Sequence, residues 1–329
     1  TKLMLNLVGK PYIDARLSFN SFLPKKMDKK LADKVVNYWL YNLEKKPYLY
    51  DKIEFKVAIT CFSFDIKDRI KKFLPKNLSE NQKNYFINLH KKNFEQIIRN
   101  DHKSSVKKSL EKIQKLSLIQ KNYKKSKIKK NEFYKILFDC KKFGVIPFAI
   151  CARHAFIAET ILDSLLSKKV IDKNFIRKFK LSLNTITSKF LEDTNKVGNQ
   201  NMTKKNFMEI YGHLRPGTYD IKSKRYDQSN YIDFTKHNII KKTKFQISNK
   251  IHKKVDRLLK KFNFVKLSSQ QLFGYISEAI PAREYSKFVF TKSVSYALQI
   301  IPIILKKRKF TLEDISNLDI YDILKVKKI

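Results

Sequence analysis

Residues 145–168 read VIPFAICARHAFIAETILDSLLSK. Phe156, Ile157, Ile161, Leu165 and Leu166 recur at the three-to-four spacing of one helix face, and Pro147 falls where a first turn tolerates a missing N–H. The pattern predicts a long amphipathic helix and, with it, a mainly helical fold. The same period extends outward in both directions. Upstream, Phe86, Leu89, Ile97 and Ile98 fit one face, and Val106, Leu110, Ile113 and Leu116 another. Downstream, helices are expected over 172–192, with Phe175, Phe179 and Leu181 inside, and over 247–262, 268–279 and 285–306. Thr311 and Asp314 form a capping-box pattern that opens a last helix, LEDISNLDIYDIL. The basic run 121–132 reads as a solvated connection.

Residues 1–66 differ. LMLNLVGKPYIDARLSFNSF and IEFKVAITCFSFDI are β-branched and aromatic runs of strand length, with a turn expected at Gly9-Lys10-Pro11. Between them Leu31, Val35, Val36, Trp39 and Leu40 have helical spacing. The expected fold is mainly α: a small α+β portion over 1–66 carrying the strands, and a helical domain over 67–329.

The chain has 329 residues and a formal net charge of +41, with 43% hydrophobic residues and six Gly. This apolar content supports a packed core and excludes disorder. A charge of this size suggests a polyanion partner. Of the 71 basic residues, however, only ten are Arg, the side chain whose planar fork reads phosphates and base edges. The Lys excess accompanies abundant Ile, Asn, Phe and Tyr, the signature of a genome rich in A and T. No specific nucleic-acid partner is expected. Cys61, Cys140 and Cys151 have no metal or redox spacing and read as buried, reduced thiols of a cytoplasmic protein. The apolar run from Val294 to Leu305 is short and interrupted by Ser295, Tyr296, Gln299 and Pro302, so no membrane partner is expected. There is no phosphate-binding glycine loop, no dinucleotide fingerprint and no metal-ligand spacing.

Four strings concentrate chemistry. YGHLRPGTYD (211–220) holds two of the six glycines, flanking His213 and Arg215, with Tyr219 and Asp220 following. Such a turn suits an anionic or phosphorylated ligand; alternatively, His213 and Arg215 bond only to nearby carbonyls. YIDARLSFNSF places Asp14, Arg16, Ser18 and Asn20 on one face if it is a strand. ARHAFIAE puts Arg153, His154 and Glu159 on the 145–168 helix. SEAIPAREYSKFVFTKS contains Glu278, Arg283, Glu284 and Lys292, and Pro281 is expected to break the helix there, so that helix ends meet and favour an anion.

On these strings the chain resembles the phosphoenolpyruvate-synthase/pyruvate-phosphate-dikinase superfamily, in particular the central substrate-binding region of the capsule-pathway L-glutamine kinase branch. The resemblance implies an acceptor-binding region of a phosphohistidine-dependent phosphotransferase. ATP and Mg²⁺ would act on an ATP-grasp region, and a swivelling phosphohistidine domain would carry the phosphoryl group here, to an amino acid or amide acceptor such as glutamine. Neither of those domains is recognisable in this chain, so they belong to the same longer protein or to a companion chain, and no cofactor is expected to bind here. The implied catalytic pair is His213, orienting or deprotonating the acceptor, and Arg215, on phosphoryl or carboxylate oxygens. The implied substrate-binding set is Arg16, Asn20, Arg153, His154, Tyr219, Asp220, Glu278, Arg283 and Lys292, with no metal ligand. The competing readings are a basic nucleic-acid-binding protein and a non-catalytic scaffold.

Overall fold

The computed structural model describes residues 3–7, 10–99, 105–123, 130–235, 245–305 and 309–325. They form a mainly helical protein with one two-stranded antiparallel sheet at the N-terminus, Met4–Leu7 against Lys10–Ile13. The turn expected at Gly9 lies outside the described residues. The chain divides into two compact units interleaved along the sequence.

The first unit comprises Thr1–Ser104, Ala155–Phe179 and Phe245–Ser277. Its helix Lys29–Lys45 buries Leu31, Val35, Val36 and Trp39, as the spacing predicts. The Trp39 indole N–H donates to the Phe73 carbonyl at 2.7 Å, and Phe19 meets the indole edge-on at 5.7 Å. That contact explains why the strand expected through YIDARLSFNSF stops at Ile13. The Asp14 carboxylate accepts from the Leu17 N–H, and this N-cap starts the short helix Ala15–Asn20 that turns Phe19 inward. The second expected strand is also absent. Ile53–Lys56 forms one helical turn, after which residues 57–64 run buried with no partner strand. Phe62 and Phe64 from this segment pack edge-on against Phe94, and Phe62 also against Phe262 and Phe264, with centroids 5.1–6.1 Å apart. Burial of aromatic rings there outweighs the β propensity of the segment.

The second unit comprises Ser105–His154, Lys180–Lys244 and Glu278–Ile329. Here α-helix Lys130–Cys140 passes through a π turn, Lys141–Val145, into the helix Ile146–Ser167, whose residues from Ala155 on are assigned to the first unit. Gly144 sits in that turn because a Cβ would lie 2.7 Å from the Cβ of Phe290 and 2.8 Å from a Leu116 methyl. The 172–192 stretch is two helices, Lys173–Ser182 and Ile186–Gly198, split by a Thr185–Ser188 capping box, and Leu181 is exposed. The Thr311–Asp314 box is present as predicted, but it opens only Leu312–Ser316, with a separate helix at Ile320–Lys325.

Pro281 does not break the chain. Ser269–Leu305 is one helix with Pro281 and Pro302 inside it, so no pair of helix ends meets at Arg283. Packing of Ala282, Val289, Phe290, Ala297, Ile300 and Ile301 into the core outweighs the lost N–H bonds. This helix and the 132–167 stretch are both long and apolar enough to cross a membrane by length and composition, which the shorter Val294–Leu305 run did not suggest; about half of each apolar window is buried inside the protein.

Candidate anion-binding site

The site is built from the segment 211–228 and the helix behind it, all within the second unit. The helix Lys204–Tyr211, capped by the Thr203 hydroxyl, ends at Gly212. Gly212 has an ordinary φ of −58°. It is needed for room, since a Cβ there would collide with the Met208 carbonyl and with Asp227. The chain then turns tightly: the Gly217 N–H donates to Ser223 Oγ at 3.0 Å, and the Lys222 N–H to Asp220 Oδ1 at 2.9 Å.

Arg215 is buried at 9% exposure. Its Nε donates to Ser295 Oγ at 3.1 Å, Nη1 to the Ser223 carbonyl at 2.5 Å and the Ile221 carbonyl at 3.5 Å, and Nη2 to the Ser295 carbonyl at 3.4 Å. The guanidinium therefore fastens the loop to the Ser269–Leu305 helix. Burial lowers its pKa, and the nearby Arg225 charge lowers it further. Arg225 itself forks onto Asp227, with Nε to Oδ1 at 2.9 Å and Nη2 to Oδ2 at 2.5 Å, and bonds to Gln299 Oε1. Lys292 is half-buried and makes no ion pair among the described residues. Its pKa is lowered by burial first and by Arg225 second.

Arg215 and Arg225, though not Lys292, border cavities. A pocket of about 740 Å³ is lined by Arg215, Lys222, Lys224, Arg225 and Gln299 over an apolar wall of Ile300, Ile303 and Leu312. Lys222 is tied to Glu313 at 2.9 Å. A smaller one of about 240 Å³ holds His213, Arg215, Thr218, Glu284, Lys287 and Ser295. The Glu284 carboxylate accepts from the Thr187 N–H and hydroxyl, both at 3.1 Å, at the start of the Ile186–Gly198 helix.

The His213 ring is clamped: Nδ1 lies 3.1 Å from the Ile210 carbonyl and Nε2 3.2 Å from the Phe288 carbonyl. Two carbonyls favour an imidazolium, yet burial, followed by the Lys292 charge, pushes the pKa down to about 4. A neutral ring donates to only one of them. His154 is likewise buried, with Nε2 2.6 Å from Ser105 Oγ, and burial pushes it down to about 4.

The fold thus gathers His213, Arg215 and Lys292 around one loop. Tyr219 and Asp220 follow on that loop, both exposed, and Asp220 acts on Arg215 through its charge. Arg153, Glu278 and Arg283 engage other groups and line neither cavity. Arg16 and Asn20 belong to the first unit, exposed on the Ala15–Asn20 helix, where Arg16 donates to Asn37 Oδ1 at 2.8 Å. Sequence reasoning missed Arg225, Asp227 and Gln299. Arg225 was findable as one of ten arginines, five residues beyond the motif; Gln299 was not, since only folding brings the long helix alongside. Among the described residues, no group of three or more His, Cys, Asp or Glu is placed to hold a metal ion.

No family model, curated protein or solved structure matches this chain at a significant level. The expected resemblance to the phosphoenolpyruvate-synthase superfamily therefore rests on the motif strings alone.

Proposed function

We propose that this chain supplies the acceptor-binding region of a phosphohistidine-dependent phosphotransferase, taking an amino acid or amide such as L-glutamine as acceptor. What supports the reading is surplus positive charge around the 211–228 loop. Arg215, Arg225 and Lys292 lie close enough for Arg225 to depress the other two, and the one ion-paired carboxylate among them is Asp227. A phosphoryl or carboxylate group entering there relieves the repulsion, and electrostatic positioning of this kind is most of what phosphoryl transfer needs from a protein. Lys224 in the larger cavity and Lys287 in the smaller are the cations left for a ligand, while Arg215 shapes the loop. ATP and Mg²⁺ would act on domains outside this sequence, in the same or a companion chain, and the phosphohistidine would come from there. The same clamps that hold His213 and Arg215 favour a second reading, a non-catalytic scaffold retaining the fold.

Calorimetric titration of the chain with L-glutamine, inorganic phosphate and a duplex oligonucleotide at about 150 mM salt separates these readings. Saturable binding of glutamine or phosphate, weakened at least about tenfold by Lys224→Met, is the expected outcome. No small-molecule binding at all identifies a scaffold. Salt-resistant oligonucleotide binding alone makes the lysine charge itself the function.

A further inference from the structure

The helix running from Lys130 through the π turn into Ile146 has apolar residues on two opposite sides. One side is core: Phe133, Ile136, Cys140 and Gly144 are buried. The other faces solvent. Tyr134, Phe138, Val145, Ile146 and Ile150 are between 36% and 60% exposed, and their spacing follows the helix through the wider π turn. Sixteen steps from Tyr134 to Ile150, at about 1.5 Å each, make this a line about 24 Å long. The exposed charges between its ends are Lys135, Lys141 and Lys142, and the one acid in the span, Asp139, is buried. The ammonium of Lys142 lies 5.6 Å from the Phe138 ring centre and 5.2 Å from that of Phe143. The helix Ser105–Gln120 packs against the π turn and adds Lys115, 4.8 Å from the Phe143 ring, and the 60% exposed Leu118.

Single exposed apolar residues are ordinary, but five along one helix with lysine as the only exposed charge among them are not. We propose that this face docks on an anionic lipid bilayer, lying in the interface rather than crossing it. A protein groove would match the hydrocarbon and leave the ammonium groups facing apolar walls. A lipid surface meets both needs, because the rings and aliphatic chains enter the acyl boundary while lysines extend to headgroup phosphates. The net charge of +41 draws the protein to the same surface. The helix lies flat because its opposite side is fixed in the core. Such docking departs from the absence of a membrane partner expected from sequence, and does not depend on the phosphotransferase reading.

Flotation of the purified chain with phosphatidylcholine vesicles, with and without phosphatidylglycerol, tests this at about 150 mM salt. Wild type floats with the anionic vesicles, and the doubly substituted Phe138→Ser/Ile146→Ser protein binds them at least about tenfold more weakly. Both positions are exposed, and an unchanged thermal midpoint confirms the variant's fold. In a second measurement, brominated acyl chains quench the new fluorophore of Phe138→Trp, while emission from the buried Trp39 of wild type is unaffected. Equal binding by wild type and the double variant without quenching reduces the interaction to charge adsorption and overturns the proposal. So does a wild type that ignores vesicles, or concentration-dependent self-association that the same two substitutions abolish.

Discussion

His213 and His154 carry opposite demands from their surroundings. Each ring has polar neighbours within hydrogen-bonding distance, and each is buried beside a cation, which keeps it neutral down to about pH 4. In the unfolded chain a histidine titrates near 6.5. Above that value both states are neutral and the rings contribute nothing to pH dependence. As pH falls, the unfolded chain binds protons first, so stability is lost progressively between about 6.5 and 4, and the loss levels off below the folded pKa. The size is on the order of 3 kcal/mol per ring. Urea midpoints measured at pH 7 and pH 5 should therefore fall in wild type and fall less in His213→Gln; equal drops would show that His213 is not a source of the slope. At the same scale, the motif at 211–220 was visible as an unusual string, but its chemistry was not. Sequence placed an arginine beside a glycine turn; only folding turned that arginine onto the carbonyls of residues 221, 223 and 295 and left Lys224 and Lys287, among the described residues, as unpaired cations lining the cavities.

Among the elements, helix ends record how a glycine-poor chain closes its helices. Lys169, Gln200 and Asn263 have φ of 54°, 61° and 60°, in the left-handed region where glycine is usual. After each, a bond runs from the next residue's N–H back five residues: Val170 to Leu165, Asn201 to Lys196 and Phe264 to Leu259, at 2.8–3.0 Å. These are Schellman closures made without glycine, each carrying steric strain between Cβ and the carbonyl. Lys169→Gly should raise stability by about 1 kcal/mol in chemical denaturation, and an unchanged or lower midpoint would show that the lysine side chain compensates for its backbone. Legibility varied with element type for a physical reason. Helices with a clear apolar face, such as Lys29–Lys45, were read within a residue or two. The expected strands at 14–22 and 53–66 failed because a strand needs a partner, which no local pattern reveals. Pro281 misled because a core on both sides of a proline holds a helix together when local preference opposes it.

For the whole molecule, the net charge of +41 sets solubility and association more than fold. Self-repulsion among so many lysines opposes compaction, so raising NaCl from about 20 to about 300 mM should raise the thermal midpoint through screening. A midpoint insensitive to salt would mean that the charges are spaced too widely to matter. The charge is not spread evenly: around the 211–228 loop it gathers Arg215, Arg225 and Lys292, and along the 134–150 face it frames an apolar line. The difference lies in what surrounds the lysines, which composition does not encode.

Sequence alone determined the helical class, the position of most helices, the capping box at Thr311, and the loop on which the candidate site is built. These are local properties: period, caps and turn residues act within a few positions of one another. Tertiary structure decided which residues the loop meets, which cation is left free, why 57–64 is buried without a sheet, and which apolar helix face stays in solvent. Those outcomes depend on contacts between residues dozens to more than a hundred positions apart, whose energies no local pattern in the chain expresses.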